Sequence, residues 1–104
     1  METEQIRAVN DKIRANLPMV TPPHKVVISS GLMGLEDEEL NSVLMKVRVF
    51  DSFDESVDPH NEHDFGMFYH NDEKIYFKFD YYDTALEAHG YDRHVLTIMT
   101  ADEY

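Results

Sequence analysis

"KIYFKFDYY", Lys74 to Tyr82, alternates two kinds of residue. Ile75, Phe77, Phe79 and Tyr81 fall on one side, and Tyr76, Lys78, Asp80 and Tyr82 on the other, because successive strand side chains point to opposite faces. This predicts a half-buried antiparallel strand with Tyr81 in the core. Upstream, "DFGMFYH" at Asp64 to His70 reads as its hairpin partner, with "NDE" as a polar turn of hairpin length. Gly66 within that run predicts a bulge or a close backbone approach. Downstream, "VLTIMT" at Val95 to Thr100 is apolar enough for a strand in the middle of the sheet. "DTALEAHGYDRH", between them, reads as a loop with one helical turn at most.

The N-terminal half changes period. Ile6, Val9, Ile13 and Leu17 form a helical stripe, with Glu4, Arg7, Asp11 and Arg14 off it and Pro18 at its end. Pro22 and Pro23 predict an extended connector, "KVVIS" at Lys25 to Ser29 a short strand, and Gly31 with Gly34 a turn. Leu40, Val43, Leu44 and Val47 repeat at helical spacing. Acidic residues Glu36 to Glu39 precede them, and Lys46 and Arg48 close the segment, complementing a helix dipole. The order is αβαβββ. It predicts an α+β fold, two helices on one face of a mainly antiparallel sheet of about four strands, as a single domain over residues 1–104.

The 104 residues contain no cysteine, which removes disulfides and sulfur-ligated zinc. With neither a signal-peptide pattern nor an apolar run of bilayer length, the expected location is cytoplasmic. The net charge of −12 is polarised. Residues 1–48 hold six Lys/Arg against seven Asp/Glu, whereas residues 49–104 hold three against fourteen. Between Arg48 and Lys74 no basic residue interrupts Asp51, Asp54, Glu55, Asp58, Glu62, Asp64, Asp72 and Glu73. Such a chain is expected to repel membranes and nucleic acid and to attract basic protein surfaces.

"DPHNEHDFG", Asp58 to Gly66, crowds two histidines and three carboxylates into nine positions. A metal centre would use His60, Glu62, His63 and Asp64, with Asp80 or Asp83 from the neighbouring strand. Acid–base chemistry would use His63, oriented by Glu62 or Asp83. The more economical expectation is a folded acidic loop. Asp58 and Pro59 start a turn, Asn61 takes a left-handed conformation, and His63 is pinned to a carboxylate such as Asp80. Neither a cofactor nor a catalytic group is assigned on this reading. Tyr76 and Tyr82, beside Lys78 and Asp80, are read as an aromatic patch ringed by acids that could contact a basic partner.

"NEHDFG" at Asn61 to Gly66, "FDYYD" at Phe79 to Asp83 and "VLTIMTADEY" at Val95 to Tyr104 occur in order, with "VRVFDSF" at Val47 to Phe53 upstream. Together they resemble a family of small acidic proteobacterial proteins known only as a domain of unknown function, often found in plasmid, phage or integrative-element settings. The likeness runs from about Val26 to the C-terminus and implies no catalytic residue. In that family an aromatic residue is more usual at the position of His60, and the connection before "VLTIM" is longer. The resulting expectation is a non-catalytic binding protein, an inhibitor of host defence of the anti-CRISPR or anti-restriction kind. It would engage a basic nucleic-acid-binding protein or complex through Asp51, Asp54, Glu55, Asp58, Glu62, Asp64, Tyr76, Asp80, Tyr82 and Asp83. Direct contact with nucleic acid or membrane is not expected. The alternatives are a metal-dependent enzyme centred on His63 and an accessory protein that forms a homodimer.

Overall fold

The computed structural model describes residues 2–56, 58–83 and 92–104. Its elements are α1 (Thr3–Ala15), β1 (Lys25–Ile28), α2 (Ser30–Met33), α3 (Asp37–Val49), β2 (Phe65–His70), β3 (Glu73–Tyr82) and β4 (Arg93–Thr100). A 3-10 turn at Ala101–Glu103 follows. Of the loop expected over Asp83 to His94, residues 84–91 lie outside the described residues, and Arg93 and His94 belong to β4 instead. No helix is long and apolar enough to cross a membrane among those described.

The alternation in β3 sorts its residues as expected. Ile75, Phe77, Phe79 and Tyr81 are buried, and their neighbours are not. The sheet order is β1-β4-β3-β2. β3 pairs antiparallel with β2 and β4, while β1 pairs parallel with β4, so "VLTIMT" does lie inside the sheet. The chain enters at one edge and reaches the other through α2 and α3, which pack with α1 on one face. The fold is α+β.

At the β2–β3 turn, Asn71 and Asp72 take φ of 49° and 67°. Two consecutive left-handed residues make the two-residue hairpin turn that matches strand twist, so pairing resumes at Glu73 rather than Lys74. The hairpin end is clasped to α3. Lys46 Nζ donates to His70 Nδ1 at 3.1 Å, leaving the ring proton on Nε2 to meet Glu39 Oε2 at 2.6 Å.

Two expectations are corrected. The Gly31–Gly34 turn is a helical turn, α2, because Glu103 accepts from Ser29 Oγ at 2.6 Å and from Gly31 N at 3.1 Å. Hydrogen bonds from Ser29, then Thr100 and Gly31, hold the Glu103 carboxyl down at about 2. Arg14, expected off the apolar stripe, is buried at 5% exposure. Its Nη1 donates to the carbonyls of Val47 at 2.9 Å and Phe50 at 2.8 Å. The last carbonyls of a helix lack partners within it, and here α1 supplies the cap for α3. The guanidinium also lies over the rings of Phe53 and Phe77, 5.1 and 5.6 Å from their centroids.

Candidate functional site

The loop "DPHNEHDFG" is organised by Asp58. Its buried carboxylate accepts from the backbone N–H of Glu62 at 2.9 Å and of His63 at 3.1 Å. Asn61 and His63 both adopt φ of 55°, so the chain folds back over the carboxylate. The bonds reach amides four and five residues on, so one side chain closes the whole loop over its own carboxylate. Arg7 Nη1 then donates to the Asn61 carbonyl at 3.1 Å, fastening the turn to α1.

His63 is pinned by a carboxylate, but by Asp11 of α1 rather than Asp80, Glu62 or Asp83. Its Nδ1 lies 2.8 Å from Asp11 Oδ1, and Asp11 also accepts from Arg14 at 3.0 Å. The imidazole stacks on Phe53, centroids 4.0 Å apart and planes within 6°. Asp80 could not serve, since strand parity turns it to the opposite face, where it pairs with Lys78 at 3.1 Å.

Beneath the loop runs a buried polar chain that the sequence patterns missed. Asn10 is 0% exposed. Its Nδ2 donates to Tyr81 Oη at 3.0 Å and to the Glu62 carbonyl at 3.1 Å, which fixes Oδ1 as acceptor for His94 Nδ1 at 2.7 Å. Tyr81 Oη in turn donates to Glu62 Oε1 at 3.0 Å. The His94 backbone N–H donates to His24 Nδ1 at 3.1 Å, placing the neutral His24 proton on Nε2. Burial lowers the His24 pKa. Burial likewise holds the Tyr81 phenol above its usual range, so it remains a donor. One signal for Asn10 existed: with Ile6, Ile13 and Leu17 it completes an i, i+4, i+7, i+11 stripe. His94 carried none, being the second residue of a strand whose start was placed at Val95.

The predicted site residues divide into three groups. Asp51, Asp54 and Glu55 are exposed, and Asp54 accepts from Ser56 N at 2.9 Å. Asp58, Glu62 and Asp64 face inward and hold the loop. Tyr76, Asp80 and Tyr82 sit on the far face of the sheet, and Asp83 is half-buried just past the end of β3. The alternative ligands do not converge. His60 is exposed, Glu62 turns to Tyr81, His63 turns to Asp11, and no three His, Asp or Glu among the described residues form a metal-holding group.

Asp64 has the titration with the clearest consequence. Burial, followed by the charges of Glu62 and Asp58, pushes its carboxyl up to about 6 from an ordinary 3.8. A raised carboxyl binds its proton more tightly folded than unfolded. Its stabilising contribution is therefore full below 3.8 and lost as pH rises through about 6. Asp64→Asn is expected to raise stability at pH 7 by about 1 kcal/mol, discounted for partial solvent screening, and to leave it unchanged at pH 3. Thermal melts at the two pH values check this. An equal gain at both would show that ionisation is not the cause.

A family model described as a protein of unknown function matches residues 28–103. Comparison with curated proteins and with solved structures returned no match. The matched region contains Glu62, His63, Tyr81 and His94. Asn10, Asp11 and Arg14 come from α1, outside it.

Proposed function

This chain belongs to the DUF3768 family, and we propose that it is a non-catalytic acidic binding protein for a basic, nucleic-acid-handling protein surface. Its setting would be a phage or mobile-element inhibitor of host defence, of the anti-CRISPR or anti-restriction type. The observation that carries this reading is the exposure of Asp51, Asp54 and Glu55 on a segment anchored at both ends. Phe53 stacks on His63 and packs edge-on to Phe50, and Asp58 N donates to the Asp54 carbonyl at 2.7 Å. Neither Asp51 nor Glu55 lies within ion-pair distance of a lysine or arginine among the described residues. Carboxylates held in place lose little entropy on binding and can compete with phosphates for a Lys/Arg groove. The inward-facing Asp58, Glu62 and Asp64 support this surface rather than form it.

The test is a pull-down of basic nucleic-acid-binding proteins from host lysate at low salt, with duplex DNA as competitor. The wild type is expected to retain such a protein and release it to DNA. Charge reversal of Asp51, Asp54 and Glu55 to lysine is expected to weaken retention at least tenfold, by about 1.4 kcal/mol or more. Retention untouched by the triple reversal removes the reading.

A further inference from the structure

The helices cover one face of the sheet, and strand register defines what the other face carries. Across the strands it presents Tyr69 beside Lys74, then Met67, Tyr76 and Met99, then Phe65, Lys78, Thr97 and Val27. Asp80, Val95 and Lys25 follow, and Tyr82 beside Arg93 completes the face. Four cations thus meet one strand-borne acid, on a chain whose overall charge is −12. Among the strand residues of this face the charges beside Tyr76 and Tyr82 are mainly basic, where the sequence suggested a ring of acids.

Those cations are little used by the fold. Lys78 pairs with Asp80, and Lys74 Nζ lies 5.6 Å from the Tyr76 ring centroid. Lys25 and Arg93 make no ion pair among the described residues, and Arg93 Nε is sheltered without a hydrogen-bond partner. Between the cations lie aromatic rings. Tyr104 folds onto the face, 5.0 Å from Tyr76 and 5.8 Å from Phe65, yet stays 70% exposed. Tyr69 and Tyr82 are 60% and 40% exposed.

We propose that this face binds single-stranded nucleic acid, with Lys25, Lys74, Lys78 and Arg93 on phosphates and Tyr69, Tyr82 and Tyr104 stacking bases. Cations alone would suit any polyanion. Cations interleaved with exposed rings suit a strand whose bases are unpaired and can stack. Lys74 and the Tyr82–Arg93 pair are eight positions apart on β3, about 27 Å at strand rise, room for several nucleotides. Whole-chain repulsion slows approach. At physiological salt it is screened beyond about 8 Å, so in contact the face's own charge governs. This surface is separate from Asp51, Asp54 and Glu55, and the inference does not rest on their role.

The experiment is fluorescence anisotropy of a labelled oligothymidine of about twelve nucleotides, titrated with the full chain at low and physiological salt. A duplex of the same length is the control. Saturable binding that prefers the single strand and weakens with salt is expected. Lys78→Glu with Arg93→Glu should weaken it at least tenfold, and Tyr82→Ala about fivefold. Lys25→Glu with Lys74→Glu is the second pair, should the first disturb folding as read by circular dichroism. Absence of binding at low salt overturns the inference. So does equal affinity for duplex, or affinity retained in a correctly folded charge-reversed pair.

Discussion

Asn10→Ala is expected to destabilise the protein by about 3 kcal/mol, the larger part of which is the cost of abandoning buried partners. Asn10 serves three groups at once: it accepts from His94 Nδ1 and donates to Tyr81 Oη and to the Glu62 carbonyl. Asn10 and His94 are both 0% exposed, so water cannot replace the lost amide without opening the interface between α1 and the sheet. Tyr81→Phe should cost less, about 1 kcal/mol, since Asn10 keeps its bonds to His94 and Glu62. Urea unfolding of both single variants and the double variant measures the coupling. Additivity within about 0.5 kcal/mol would mean that the chain of polar groups is not one unit, and the account given of it would fail.

Gly66→Ala should be of similar size for a different reason. A Cβ there would stand 2.2 Å from Phe77 Cε2 and 2.9 Å from Phe50 Cε1. Phe77 is 0% exposed, and the half-buried Phe50 packs edge-on against it with centroids 5.2 Å apart, so the Phe77 ring has no free space to enter. Overpacking of this kind costs about 3 kcal/mol, and larger side chains are expected to prevent folding. Phe77→Leu introduced with Gly66→Ala should recover part of the loss, because the shorter side chain vacates the position of Cε2 and Cζ. A Gly66→Ala protein that melts like the parent would show that the rings move aside at little cost. The sequence offered a bulge or a close approach at Gly66. The unbroken register from Phe65 to His70 selects the close approach.

What the sequence determined by itself is the part of the structure that repeats locally. The two-residue period of Lys74 to Tyr82 separates core from exposed face without reference to any other segment, because strand geometry imposes it. The position of "VLTIMT" inside the sheet and the amphipathic α3 follow from similarly short windows. Asp58 and Asn61 declared their turn in the same way, through side-chain and backbone preferences acting over a few residues.

Tertiary structure decided the partners. His63 and Asp11 are 52 positions apart, and Asn10 and His94 are 84. Periodicity carries no information at those separations. The inward direction of Arg14 and Asn10 was not legible locally, since a polar residue facing inward looks like surface until the groups it satisfies are known. For Arg14 those groups are the open carbonyls at the end of α3. For Asn10 they are a phenol, an imidazole and a carbonyl brought together only when α1 docks. The charge of the sheet's open face was hidden for the same reason. Lys25, Lys74, Lys78 and Arg93 are dispersed through an acidic chain and share a surface only because register places alternate residues of four strands on one side.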